Sequence, residues 1–394
     1  MFESLTMAPP DPILGLTDAF NEDTNPKKIN LGVGVYQDAS GKTPVFTSVK
    51  KAEERLWRNE GTKNYLAISG LAEFDKQVQG LVLGSDTALL ARAQTAQTPG
   101  GTAALRVAAD FLKVACKKNK IWISNPSWPN HNNVFQAAGI EVGTYPYYDI
   151  TEKTLAFDAM MEALRAIPEG DVLLVHGCCH NPSGMDPDVD QWKQIAAVAA
   201  ERKLLLMVDL AYLGLGRGLE EDAAGVRLLC QSGCDVLIAA SFSKNFGLYR
   251  ERTAGLILIA QDADAAKRAF SHVKQSIRAN YSNPPSHGGS VVATILGDPE
   301  LRQEWENEVA DMRGRMQEMR QMFVDTLKAK GVQQDFSFLI RQNGMFSFSG
   351  LTKDHVKALR EKYGIYTVAS GRINVAGMTR NNMDAICQAI AKVL

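Results

Sequence analysis

The sequence predicts an α/β fold: a large domain with a mostly parallel sheet sandwiched by helices, plus a smaller α+β domain. Three observations carry that reading. The chain has 394 residues, beyond the roughly 250 to 300 at which a single core stops growing. From about Ile121 to Ala260, short apolar runs alternate with helical patterns, as strands buried on both faces and their crossover helices do. After Gly331 the rhythm changes to brief, partly alternating runs followed by helices.

In chain order, the stretch from Met1 to Leu16 holds Glu3, Pro9, Pro10, Asp11 and Pro12 and lacks the basic and apolar regions of a secretory signal. No apolar run approaches the roughly 20 residues of a bilayer crossing. A cytoplasmic protein without membrane contact is expected. Strands are predicted at Ile121 to Ser124, Val172 to His176, Leu204 to Asp209, Val236 to Ser241 and Gly255 to Ala260. Trp192, Ile195, Ala196 and Ala199 recur at helical spacing, with Gly184 and Pro187 marking the entry to that helix. Leu301, Trp305, Val309, Met312, Met316, Met319, Phe323 and Leu327 step by threes and fours, which predicts one long amphipathic helix. Methionine on such a stripe is read as core filling. The smaller domain rests on runs around Phe336 to Ile340 and Met345 to Phe348, then helices near Asp354 to Tyr363 and Asn382 to Leu394. No repeat, low-complexity tract or flexible linker interrupts the chain.

Hydrophobic residues make up 45%, charged residues 22%, and the formal net charge is -1, so there is no broad electrostatic pull on nucleic acid. The six cysteines are expected as free thiols. The segment HGCCH, His176 to His180, raises a zinc reading. Adjacent thiols lack the spacing of structural zinc sites and should alternate across a strand, so no metal is expected.

In parallel sheets, ligands bind beyond the carboxyl ends of the strands. Ser124, Asn125, Trp128 and His131 follow one run, and His176 and Asn181 another. Asp209 and Tyr212 follow a third, and Ser241, Ser243 and Lys244 a fourth. An aromatic plate, an amide, a carboxylate, a phenol, hydroxyls and an amine suit a planar, charged ligand. Upstream, TPGGT at Thr98 to Thr102 precedes an amphipathic stretch with Leu105, Ala108, Ala109 and Leu112, setting glycines at a helix N-terminus where phosphate binds. Alone, such a turn is only a helix entry; its weight comes from these neighbours. Two nucleotide motifs fail on spacing. A P-loop ending at Gly41-Lys42-Thr43 needs glycine where Tyr36 stands, and Gly214, Gly216 and Gly218 do not form GxGxxG after a first strand.

HNPSG at His180 to Gly184, DLAY at Asp209 to Tyr212, SFSKNFGLY at Ser241 to Tyr249 and SNPP at Ser282 to Pro285 resemble the fold-type I aminotransferases. From DPILGL at Asp11 to Leu16 through ASGRINVAG at Ala369 to Gly377, nearly the whole chain is similar to their aspartate aminotransferase branch. That resemblance implies a seven-stranded sheet. It also implies an N-terminal arm over 1-14, a small domain over 15-45 and 312-394, and a large pyridoxal-phosphate-binding domain over 46-311. It assigns Lys244 to hold pyridoxal phosphate covalently and to carry the transferred proton. Asp209 would pair with the pyridine nitrogen, with His131 behind it. Tyr212 and Asn181 would bond the phenolic oxygen, and Trp128 would stack on the ring. Gly101, Thr102, Ser241, Ser243 and Arg252 would hold the phosphate, with Tyr65 reaching it from the other subunit of a homodimer. Arg372 matches the arginine for the α-carboxylate, Arg278 the partner-subunit arginine for the distal carboxylate, and Gly34 a substrate contact.

The implied reaction is reversible, ping-pong transamination between L-aspartate and 2-oxoglutarate. A broad-range or aromatic aminotransferase of the same branch shares both arginines and is the alternative. Ala103, Ser183, Leu213, Leu215, Arg250, Thr253 and Ala254 depart from the branch's usual pattern; none removes a primary catalytic group.

Overall fold

In the computed structural model, which describes residues 2-7 and 14-394, the apolar runs become strands of one seven-stranded sheet. The strands are β1 (Ala93–Thr98), β2 (Lys120–Asn125), β3 (Glu141–Pro146), β4 (Val172–His176), β5 (Leu205–Leu210), β6 (Val236–Ser241) and β7 (Ala254–Ile259). They lie in the order β1-β7-β6-β5-β4-β2-β3. Neighbours are parallel except at β7, which runs against both β1 and β6. The mostly parallel sheet is as predicted, whereas β1 and β3 were not anticipated. The sequence of β1, AQTAQT, has no apolar run, yet the strand is largely buried. Its polar groups are satisfied inside: Thr95 accepts from Gln79 at 2.9 Å, and Gln97 donates to the Pro285 carbonyl at 2.8 Å.

Helices α1 (Ala72–Leu83), α2 (Gly101–Val114), α3 (Val189–Glu201), α4 (Leu219–Gln231) and α5 (Ala263–Asn280) belong with this sheet. Leu174, Met207, Ala239 and Leu256 share one core with Leu105, Ala108 and Leu112 of α2 and Val273 and Ile277 of α5. The helix α3 starts where Asp188 and Gln191 form a reciprocal capping box. The long stripe is a single helix, α6 (Pro299–Ala329), and each of its eight stripe residues is buried.

The chain divides into two compact units, one of Pro44–Gly314 and one of Met1–Thr43 with Arg315–Leu394. In the second, Phe346–Phe348 pairs antiparallel with Arg372–Asn374, and Ile29–Asn30 pairs parallel with Ile365–Tyr366. Helices α7 (Lys353–Tyr363) and α8 (Arg380–Val393) pack on a core holding Phe323, Leu359, Ile373 and Ile386. The run around Phe336 to Ile340 is a 3-10 turn over Ser337–Arg341 and not a strand. Phe336, Phe338 and Leu339 are buried while Ile340 is exposed, the spacing of a tight helix and not of alternation. Residues 1 and 8-13, half of the N-terminal arm expected over 1-14 together with the start of DPILGL, lie outside the described residues; Phe2–Ser4 forms one 3-10 turn. Among the described residues, no helix is long and apolar enough to cross a membrane.

Candidate active site

Strand register delivers the site. His176 of β4 stands opposite Asp209 of β5, so both leave the sheet at its carboxyl edge. His131, on the helix Asn130–Ala137, brings its Nε2 to 2.8 Å from Asp209 Oδ2. Its Nδ1 lies 2.9 Å from Ser127 Oγ, which in turn lies 3.2 Å from His176 Nε2. Trp128 meets the His131 ring edge-on at 5.2 Å between centroids. Lys244 follows β6, with its Nζ 5.1 Å from the centroid of the Tyr212 ring.

The charges in this cluster are set by what surrounds them. Burial pushes the Asp209 carboxyl up, but the hydrogen bond from His131 and nearby groups including the Lys244 amine outweigh it and hold the group below its ordinary range. Burial draws the Lys244 amine down; Asp209 opposes that pull and Arg252 adds to it. His176 is driven down to about 3 by burial and stays neutral at any working pH.

A second set lies at the start of α2. Thr98 of β1, Ala254 of β7 and Ser241 of β6 fall in line across the sheet, which sets the TPGGT turn beside Ser241 and Arg252. Gly100, the residue before α2, has φ 93, a left-handed region that favours glycine, and no side chain caps the helix. A Cβ on Gly100 would sit 2.4 Å from Arg252 Nη2, and one on Gly101 would sit 3.1 Å from Ser241 Cβ. Arg252 Nη1 donates to Ser243 Oγ at 3.2 Å. Uncapped helix amides, hydroxyls and a guanidinium fit a phosphate. With an ionised buried carboxylate to pair with a ring N–H, and a half-buried amine of lowered proton affinity, the residues present fit pyridoxal phosphate.

Asn181 is buried on the loop after β4. Asp186 holds that loop by accepting from the Cys179 and His180 amides, both at 2.9 Å. His180 is fixed between Ser124 at 2.9 Å and Ser183 at 2.7 Å and stacks on Tyr147 at 3.7 Å. Ser183 thus retains a hydroxyl with a defined partner. The thiols differ from expectation. Cys178 and Cys179 sit in bends beyond β4, not on the strand. They do not alternate: both Sγ atoms lie within 4.8 Å of each other and of the Asp222 carboxylate. Neither Asp186, on a loop, nor Asp222, in the first turn of α4, stands in a pattern that marks it in the sequence.

Four further predicted residues come from other parts of the chain. In the unit containing Arg315–Leu394, Arg372 is buried, donates to the Gly32 carbonyl at 2.7 Å and lies 4.1 Å from the Phe346 ring centroid. A Cβ on Gly34 would come within 2.7 Å of that same ring. Tyr65 is 93% exposed, and Arg278, exposed near the end of α5, bonds Ser282. Neither is hydrogen-bonded to the residues around Lys244.

Residues 26-390 match the family described as aminotransferase class I and II. The chain is 57% identical over 396 residues to the aspartate aminotransferase of Escherichia coli, covering all of both. It is 45% identical to an aromatic-amino-acid aminotransferase of Pseudomonas aeruginosa, covering 100% of this chain and 98% of that one. Among solved structures, the aromatic-amino-acid aminotransferase from Burkholderia pseudomallei, covalently bound to pyridoxal phosphate, superposes with a TM-score of 0.97 at 47% identity. That match covers 100% of this chain and 99% of the other.

Proposed function

The chain belongs to the class I and II aminotransferases, and from that premise we propose that it moves the amino group reversibly between L-aspartate and 2-oxoglutarate, giving oxaloacetate and L-glutamate. The carrying observation is the half-buried Lys244 amine, 5.1 Å from the Tyr212 ring, beside an Asp209 carboxylate held ionised by His131. The 57% identity to an aspartate aminotransferase, against 45% to an aromatic one, favours the dicarboxylate substrate.

Pyridoxal phosphate, when bound, supplies an electron sink for the charge left at Cα after deprotonation. The chain's own groups do the rest. Gly101, Thr102, Ser241, Ser243 and Arg252 anchor the phosphate, and Trp128 covers the ring. Asp209 keeps a proton on the pyridine nitrogen by remaining anionic. Tyr212 and Asn181 donate to the phenolic oxygen. Lys244, its proton affinity reduced by burial, would take up at its Nζ the proton leaving substrate Cα and, in the reverse direction, return it there. Arg372 binds the α-carboxylate as a planar fork, and Gly34 leaves room beside it.

Arg278 and Tyr65 act across a homodimer, Arg278 on the distal carboxylate and Tyr65 on the phosphate. Both are exposed on a single chain. Asn283 Nδ2 donates to the Leu66 carbonyl at 3.1 Å, tying the Tyr65 loop to the segment that follows Arg278. Six free thiols agree with work in the cytoplasm.

The test is the visible spectrum of the protein supplied with pyridoxal phosphate, titrated with aspartate and separately with tyrosine, without a keto acid. Loss of the bound-cofactor band at far lower aspartate than tyrosine is expected. Equal responses would move the assignment to the broad-range branch. Lys244→Ala should lose the covalent band and on the order of 10^4-fold or more in rate; retention of either would refute its role.

A further inference from the structure

Two aspartates that touch neither Lys244 nor the phosphate cradle hold the loops that carry Tyr212 and Asn181. Asp222, on α4, is buried, and its Oδ2 accepts the amides of Gly214 and Gly216, each at 2.9 Å. Its Oδ1 accepts the Arg217 amide at 2.8 Å. Three donors from one short segment fix the chain two to five residues beyond Tyr212. Asp186 does the same for the other loop through the Cys179 and His180 amides, the latter adjacent to Asn181. The loops meet at Cys179, whose Sγ lies 3.9 Å from the Tyr212 carbonyl oxygen. There is little slack: a Cβ on Gly216 would sit 2.6 Å from Asp222 Oδ1 and 3.1 Å from Cys179 Sγ.

We infer that Asp222 and Asp186 are positioning residues which, by clamping these adjoining loops, set the spacing between the Tyr212 hydroxyl and the Asn181 amide at the phenolic oxygen of the cofactor. This rests on the aminotransferase reading. Neutral loop amides satisfied by water would allow the loops to drift. A buried carboxylate taking several N–H groups makes stronger, directed bonds and is itself sheltered from competing water. Burial raises Asp222 to about 6, with the Asp186 charge adding to that rise and Cys178 and Cys179 packed alongside; the three amides oppose it. The thiols and the carboxylate here act as packing and clamp, since all three donors already occupy Asp222.

The readout is the pH midpoint of the bound chromophore's visible absorbance, which reports how strongly the phenolic anion is stabilised. It is measured in the wild type, Asp222→Asn, Tyr212→Phe and the double variant. Asp222→Asn should raise the midpoint by about half a unit or more, as a weakened hydrogen bond does. The double variant should match Tyr212→Phe alone, because the clamp acts through the tyrosine hydroxyl. An unmoved midpoint in Asp222→Asn, or full additivity in the double variant, overturns the inference. Should Asp222→Asn not fold, Gly216→Ala pushes on the same clamp and enters the cycle with the same expectation. A wild type that shows no bound chromophore overturns the aminotransferase reading instead.

Discussion

Asp209 at the carboxyl end of β5 and Asp75 on α1 are the same residue in low-dielectric surroundings, with opposite outcomes. Asp209 accepts from His131 at 2.8 Å and lies in the field of Lys244, and it stays ionised despite burial. Asp75 has a buried Oδ1 without a hydrogen-bond partner, and burial drives its carboxyl to about 8. The difference lies in the partners, not in depth. Asp209 stays ionised because groups from a neighbouring helix and from the loop after β6 offset its desolvation, and Asp75 has no such partners.

The largest test of that contrast is Asp209→Ala, which should reduce kcat/KM on the order of 10^3-fold by removing a preorganised charge. A loss below tenfold would break the comparison. Next comes Asp75→Asn. The folded carboxyl titrates well above its unfolded value, so the native state binds more protons between those two values and stability falls as pH rises toward about 8. Asp75→Asn should therefore stabilise at pH 8, on the order of 3 kcal/mol, and by much less at pH 5; equal Tm shifts at both would contradict the assignment. His131→Ala should cost about tenfold in kcat/KM and move its acid limb to higher pH, since Asp209 loses the bond that holds it down. An unmoved limb would mean that Lys244 suffices. Smallest is Arg106→Ala, which breaks a half-exposed pair with Asp110 at 2.9 Å. Chemical denaturation should register less than about 0.5 kcal/mol.

The sequence made the strands β2, β4, β5, β6 and β7 visible because both faces are covered and the runs are continuously apolar. It hid β1 because burial there rests on side-chain hydrogen bonds, from Gln79 to Thr95 and from Gln97 to the Pro285 carbonyl, and not on hydrophobicity. Edge strand β3 is mostly exposed and reads as loop. Lys244, Asp209, Tyr212 and Asn181 were legible as polar residues closing apolar runs. The HGCCH segment was legible as a place but not as a geometry, because a bend after β4 turns both thiols toward one carboxylate. Asp186 and Asp222 act through backbone amides, and a backbone donor leaves no mark in a sequence.

The helix α2 begins at Gly101 without a side-chain cap, and that has a consequence beyond the chemistry. A ligand anion that satisfies those amides binds only the folded chain, so its concentration enters the folding equilibrium. At a hundred times its Kd such a ligand adds about 2.7 kcal/mol, a large share of the roughly 5 to 15 kcal/mol that separates folded from unfolded proteins. Cofactor supply would then bear on how long the folded chain persists as well as on how fast it turns over.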